Sequence, residues 1–352
     1  MAADHTPLTR RQALAALTGA VLMPLADPAA GSVRHERHFL FGSPVDVMLR
    51  HAPESPGDAA LASLASVMRG LQHIHAQWNA WKPGELGRIN QAFREGRSAR
   101  VTPALLATIR SAARLERASA GLFNPGIGGA VQAWGFHDDV MREGARPAAA
   151  TLAAWRDAAP SLAQIEMRGD RVASRNPRLQ LDFGAYAKGV AIDRALDEFA
   201  ARGQGDALVN LGGNLGAMGA IGWQIGIRDP FGEGLLASLA TQGREAVVTS
   251  GSYERFRMLD GERCTHILDP SIAAPAQGLV SVTVLHRSAA LADAAATALL
   301  VAGPLRWREV AQRMGVTQVL AVGPDGRGIA SGALAARLQF ASRDWRGRIA
   351  TV

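Results

Sequence analysis

The stretch Leu181–Leu196, "LDFGAYAKGVAIDRAL", reads as the end of a strand, a glycine-bounded turn and the start of a helix. Leu179 to Phe183 predicts the strand. Val190 to Ala201 predicts the helix, closed by Gly203. The turn between Gly184 and Gly189 carries Lys188, one of only two lysines in a chain with 38 Lys and Arg residues. The next segment decides the fold class. "LVNLGGNLGAMG" (Leu208–Gly219) spaces its glycines G-G-x-x-G-x-x-G, and Trp223–Ile227 follows with strand-like alternation. A dinucleotide-binding turn has to open a helix. A tight hairpin therefore fits better, with Ala207–Leu211 and Trp223–Ile227 as its arms.

Outward from that centre, strand and helix signals mix without regular βαβ alternation, which predicts an α+β fold. Arg37–Leu49 reads as a strand interrupted at Gly42-Ser43-Pro44. Leu61, Leu64, Met68, Leu71, Ile74 and Trp78 recur at helical spacing. Thr102-Pro103 opens a helix reaching about Ala120. "GLFNPGIGGAVQAWGF" is a glycine-rich loop, and Arg142–Pro160 is a loop with a short helix. Val280, Val282 and Val284 share one face of a strand. Ser288 caps a helix over Ala289–Ala302. Asp325-Gly326 marks a late hairpin turn.

The chain has 352 residues, is 48% hydrophobic and 20% charged, and has a formal charge of +7. Its arginines are scattered, with no zinc-finger spacing, basic helix or aromatic strand motif, so no nucleic-acid partner is expected. Thr9-Arg10-Arg11-Gln12 precedes an apolar run from Ala13 to Met23 and a Pro/Ala stretch to Gly31. That order predicts a signal peptide over residues 1–31, with periplasmic export by the twin-arginine route. The remaining domain is residues 32–352. No other stretch reads as a membrane helix. The single cysteine, Cys264, excludes an internal disulfide and a cysteine metal cluster.

Three further segments carry chemistry. Asp293 and Thr297 lie four apart on one helix and so share a face; a carboxylate and a hydroxyl are hard oxygen donors suited to Mg²⁺ or Ca²⁺. "VVTSGSYERF" places Thr249, Ser250 and Gly251 at a strand exit, where hydroxyls and backbone N–H groups can meet an anion. "THILDP" sets His266 and Ile267 before the Asp269-Pro270 turn.

Taken in order, "WNAWKPGELGRIN", "GLFNPGIGGAVQAWGF", "LDFGAYAKGVAID", "LVNLGGN", "VVTSGSYERF", "THILDP" and "LVSVTVLHRSAALADAAATALLVAG" resemble the ApbE family of FAD:protein FMN transferases, over roughly Phe39 to Gly303. The resemblance implies a two-lobed α+β fold with mixed and antiparallel sheets. It implies FAD as substrate and transfer of FMN to a Ser or Thr hydroxyl of an acceptor protein, with AMP released. By position, Ala185 (through its carbonyl), Asp293 and Thr297 become metal ligands. Asp182 and Lys188 become FAD contacts. Phe41, Trp81 and Leu122, Phe123 and Asn124 line one side of the FAD site, with His266 and Ile267 on the other. His266 and Asp293 are the catalytic candidates. A metal-dependent FAD diphosphatase and a non-catalytic periplasmic flavin-binding protein are the alternative readings. The sequence departs from the family pattern twice: Phe123-Asn124-Pro125-Gly126 replaces Phe-Asp-Pro-Thr, and Ile272-Ala273 stands where Thr-Gly is usual.

Overall fold

The computed structural model describes residues 32–51, 57–138 and 140–352. The expected signal segment lies outside the described residues. The organising element is a nine-stranded sheet. Its strands are β1 (Ser32–Leu40), β2 (Ser43–His51), β3 (Ala207–Leu211), β4 (Asn214–Met218), β5 (Glu245–Gly251), β6 (Ser281–His286), β7 (Gln318–Val322), β8 (Gly328–Ala330) and β9 (Ile349–Thr351). Spatial order follows chain order. Every neighbouring pair is antiparallel except β8 and β9. The expected α+β class holds.

Alternation along the strands makes two cores. Val45, Val47, Val209, Val248, Val282 and Val284 point to one face and pack against helices. Leu208, Leu215, Val247, Leu285 and Leu320 point to the other. There they meet a three-stranded sheet containing Gln224–Arg228 and Leu235–Ala240. Helices α1 (Gly57–Gln77), α2 (Glu85–Arg94), α3 (Pro103–Ala118), α4 (Ala187–Ala201) and α5 (Ala289–Met314) build the helical layer. Thr102 caps α3 by accepting from Leu105 N, and Ser288 caps α5 by accepting from Leu291 N.

Several expectations change in detail. The interruption after Leu40 is a hairpin turn: Phe41 (φ 55°) and Gly42 (φ 69°) join β1 to β2. Two left-handed residues in a row make a turn of the primed kind, whose twist matches that of the strands. The hairpin partner of Ala207–Leu211 is Asn214–Met218, because Gly212 (φ 59°) and Gly213 (φ 91°) turn the chain at once. Gln224–Arg228 belongs to the smaller sheet. Helix α4 starts at Ala187, so Lys188 sits in its first turn. Helix α5 continues to Met314 through a kink at Gly303 (φ 70°) and Pro304. By length and composition α5 alone among the described residues could cross a membrane, where the sequence reading expected no such stretch; most of it is buried in the core.

Leu179–Phe183 is not a ladder strand. Gln180 N donates to Gly126 O (3.1 Å) and Asp182 N to Pro125 O (2.8 Å). Leu181 exchanges two bonds with the buried Asn90 amide, N to Oδ1 at 2.7 Å and O from Nδ2 at 2.8 Å. The extended segment is thus satisfied by a loop and a side chain, and only a single bridge, Ile127 to Gln180, has strand character.

Helices α4 and α5 touch at Gly189. A Cβ there would lie 2.4 Å from Ala289 O and 2.8 Å from Ala290 Cα, both backbone atoms. Asp193, one turn on, accepts from Ala289 N (2.8 Å), Ala290 N (3.0 Å) and Ser288 Oγ (2.7 Å), so α4 also caps α5. Gly189→Ala should therefore cost about 3 kcal/mol or more, because neither backbone can give way. Urea unfolding of the variant measures this; a midpoint equal to wild type would show that the helices can separate freely.

Candidate functional site

The site begins where the main sheet opens. Strand β4 pairs with β5 only from Leu215 to Ala217, against Val247 to Glu245. Strand β5 runs on to Gly251 with β6 alone beside it. Past the Gly212–Gly213 turn this leaves a gap, and a cavity of about 1060 Å³ occupies it. That lies just above the usual range for ligand and cofactor sites, about 300–1,000 Å³. Its other walls are the first turn of α4, the glycine-rich loop near Asn124, and the segment around His266.

The structure brings every anticipated site residue to this cavity. Phe41, Trp81, Leu122, Phe123 and Asn124 line it, as do Asp182, Ala185, Lys188, Thr249, His266, Ile267, Asp293 and Thr297. They differ in what they do there. Phe41 occupies the left-handed turn position, and its N–H donates to His75 Nδ1 at 3.1 Å. Trp81 lies against His137, ring centroids 5.5 Å apart. Thr249 Oγ1 is 2.9 Å from Thr283 Oγ1 across the ladder.

Asn124 is a brace. Its Oδ1 accepts from Gly126 N and its Nδ2 donates to Pro160 O, each at 2.8 Å. A carboxylate could not make the second bond. The asparagine at the unusual position thus ties the glycine-rich loop to the chain after the short helix Ala149–Ala158. Ile272, the other unusual residue, lies outside the main cavity and lines a second one of about 540 Å³. Ala273 beside it holds φ 51°, a backbone geometry that glycine adopts more readily.

Asp293 is 3% exposed. Oδ2 accepts from Gly189 N and Oδ1 from Asn214 Nδ2, each at 2.9 Å. Burial pushes its carboxyl above the ordinary range, against the pull of Lys188 and of these two donors. Thr297, one turn further along α5, has its Oγ1 3.2 Å from Ser250 Oγ. A cation would relieve the buried carboxylate, and each carboxylate oxygen keeps a spare lone pair for one. Among the described residues no group of three or more His, Cys, Asp or Glu could hold a metal ion. Asp293 and Thr297 bring one carboxylate and one hydroxyl to the cavity wall that Ala185 also lines.

Lys188 stands at the positive end of α4, which has neither a side-chain cap nor an acidic residue in its first turn. A lysine there opposes the helix dipole, so local helix energetics do not explain it. Its charge acts on Asp293, Glu254 and His266. Asp182 is raised by burial; Gly184 N donates to its Oδ1 at 2.8 Å and Arg255 opposes the rise. His266 is half-buried in the wall, with Nδ1 2.9 Å from Arg255 O. That partner makes Nδ1 the donor and leaves Nε2 with the free lone pair. Burial first, then the charges of Arg255 and Lys188, lower its pKa from 6.5 to about 3.

The lining residues that were not anticipated include four polar ones, Asn214, Arg228, Glu254 and Arg255. Asn214, Glu254 and Arg255 lie inside quoted motifs, yet nothing in their spacing marks them. Arg228 enters from the smaller sheet, at a register shift between Ile227 and Arg228. Glu254 is raised by its enclosure and lowered by Lys188 and Arg228.

The ApbE family profile matches residues 41–321. The chain belongs to the ApbE family. It is 41% identical to the FAD:protein FMN transferase of Rhodobacter capsulatus over 86% of its own length and 58% of that protein's. It thus spans little more than half of that relative. The Treponema pallidum (strain Nichols) protein of the same name is 33% identical, covering 68% of this chain and 71% of its own. Among solved structures, the ApbE protein of Thermotoga maritima superposes with a TM-score of 0.78 at 26% identity, covering 87% of this chain and 99% of that one. The flavin transferase ApbE of Vibrio cholerae gives 0.72 at 26% identity, with the same coverage. Within this ApbE chain, the two departures from the usual pattern fall on a loop brace and on a residue outside the main cavity.

The lowered pKa of His266 has a consequence for stability. The unfolded ring takes up its proton near pH 6.5 and the folded ring only near 3. Its contribution is therefore complete above pH 6.5 and is lost as pH falls towards 3. His266→Gln should flatten the decline of Tm between those values relative to wild type. Equal slopes in thermal melts across that range would show that the ring titrates normally.

Proposed function

We propose that the chain transfers FMN from FAD to a Ser or Thr hydroxyl of an acceptor protein, releasing AMP. The observation that carries this reading is the meeting of Lys188, Asp293 and His266, from three separate segments, on one cavity of cofactor size. The family relationship supports it: relatives covering most of the chain are named FAD:protein FMN transferase.

The chemistry is a displacement at phosphorus. The acceptor oxygen bonds to the phosphorus on the FMN side, and the bond from that phosphorus to the bridging oxygen breaks. AMP leaves with the bridging oxygen and its electron pair. The hydroxyl proton passes to a base, and Nε2 of His266 is the unprotonated nitrogen available at neutral pH. Lys188 offsets negative charge on the diphosphate as a compact point charge. Mg²⁺, or Ca²⁺, held by Asp293, Thr297 and the Ala185 carbonyl would supply Lewis-acid neutralisation of that charge. Trp81, Phe41 and Ile267 offer apolar walls to the rings of FAD.

The test is incubation with FAD and MgCl₂, with and without candidate acceptor proteins, followed by in-gel flavin fluorescence after denaturation. Covalent fluorescence on an acceptor supports transfer. Rapid release of free FMN and AMP without acceptor would instead identify a diphosphatase, and FAD binding with no turnover a flavin-binding protein. We also propose export by the twin-arginine route; undiminished periplasmic accumulation after changing Arg10 and Arg11 to Lys would rule that route out.

Two variants probe the charges. Lys188→Ala should weaken FAD binding or slow single-turnover transfer by roughly ten- to a hundredfold, the loss of one charge-assisted phosphate contact. Tryptophan quenching and single-turnover rates unchanged from wild type would remove Lys188 from the site. Asp293→Asn should abolish the rise in Tm that MgCl₂ gives the wild-type protein; an equal rise in the variant would place the metal elsewhere.

A further inference from the structure

Strand β1 is the outermost strand of the main sheet, and its outer edge has no strand beside it among the described residues. Its register with β2 runs unbroken from Ser32 opposite His51 to Leu40 opposite Ser43. The two-residue turn makes Leu40 and Ser43 a hydrogen-bonded pair, and such pairs alternate along an antiparallel ladder. Leu40, His38, Glu36 and Arg34 thus spend their backbone groups on β2. Val33, His35, Arg37 and Phe39 direct their N–H and C=O groups outward.

Proteins usually blunt such an edge with a bulge, a proline or charged side chains, lysine above all. β1 has no bulge, proline or lysine; its charged residues are Arg34, Glu36 and Arg37. Its side chains do not close the edge either: Val33 is 47% and Phe39 54% exposed. His35 Nε2 and Arg37 Nε turn back onto Asp46 Oδ1 of β2, at 2.8 and 2.7 Å. The edge also leads to the site. Phe39 is both its last outward-facing residue and part of the cavity lining, followed by Phe41, Gly42 and Ser43.

We propose that the open edge of β1 is the docking track for the acceptor, which adds an extended backbone segment as a tenth strand and so delivers its Ser or Thr hydroxyl to the cavity at Phe39. This rests on the transfer reading above. The nucleophile in that reaction has to arrive on a polypeptide, and an extended backbone is the chemistry that satisfies alternate unpaired N–H and C=O groups. From Val33 to Phe39 the track is about 20 Å long, enough to align a short segment.

The test needs a peptide, obtained by incubating a display library of short segments, each with one Ser or Thr, with the protein, FAD and MgCl₂. Clones that gain covalent flavin fluorescence supply the probe. His35→Pro deletes one outward N–H and no ladder bond, whereas His35→Ala keeps that N–H and removes the same side chain. The proline variant should raise KM for the selected peptide roughly tenfold over the alanine variant, the loss of one backbone hydrogen bond. The kcat and FAD affinity should stay the same in both. Val33→Pro, at the far end of the track, should act in the same direction. In the wild-type protein the His35 and Arg37 amides should gain protection from deuterium exchange when the peptide is added.

Equal KM values for the proline and alanine variants, with no gain in protection, would overturn the proposal. So would a wild-type dimer that His35→Pro dissociates with KM unchanged, which would give the edge to a second copy. Protection of the same amides that disappears on removing residues 1–31 would give it to the chain's own N-terminal segment. A wild-type protein that labels no segment yet releases FMN and AMP would instead bring down the transfer reading itself.

Discussion

A carboxylate inside the core holds the site together. Asp293 sits near the start of α5, takes a proton donor from the first turn of α4 and another from the first residue of β4. Leaving those donors unmet would cost each its full desolvation penalty, so the three elements are fixed relative to one another. The same burial makes the charge expensive, and Lys188 and any bound cation offset it. One side chain thus sets the geometry of the junction and creates its demand for positive charge.

Close approach makes the junction possible. Helix α5 can reach α4 only because Gly189 has no Cβ, and Asp193 then binds the start of α5 from the next turn. Lys188 lies between the contact glycine and the turn carrying Ala185. This lysine, one of the two in the chain, therefore sits three residues after Ala185, at a helix start that has no side-chain cap or acidic residue of its own and takes its carboxylate contact from Asp293 of α5. Its compact head fits a role as a point charge better than a guanidinium would.

The glycine-rich loop depends on a different set of contacts. Leu179–Phe183 is held extended by Gly126, Pro125 and the Asn90 amide, not by a sheet. Asn90 belongs to α2, so a helix far away in sequence secures the segment that ends in Asp182. Asn124 then braces the loop from within. The site's walls are therefore mostly irregular chain pinned by side-chain amides, the kind of construction that carries function on a rigid scaffold.

Much of this was legible in the sequence. Periodicity found α1, Thr102 and Ser288 marked the starts of α3 and α5, and the order of motifs carried the family and its candidate residues, while the helix Glu85–Arg94 went unread. These are local signals with a fixed spacing. The failures share one cause. Leu179–Phe183 has the composition of a strand, but its partners lie in a loop and a helix. The arm paired with Ala207–Leu211 was misplaced because two left-handed glycines turn the chain sooner than alternation implied. Asn214, Arg228, Glu254 and Arg255 reach the cavity only because the sheet opens beyond β4, and Asn124 proved a brace because Pro160 O happens to lie within its reach. The sequence by itself determined most of the helices, the α+β class and which side chains can hold an anion or a hard cation. Tertiary structure decided which of them meet, because pairing, close approach and burial depend on partners that no local pattern records.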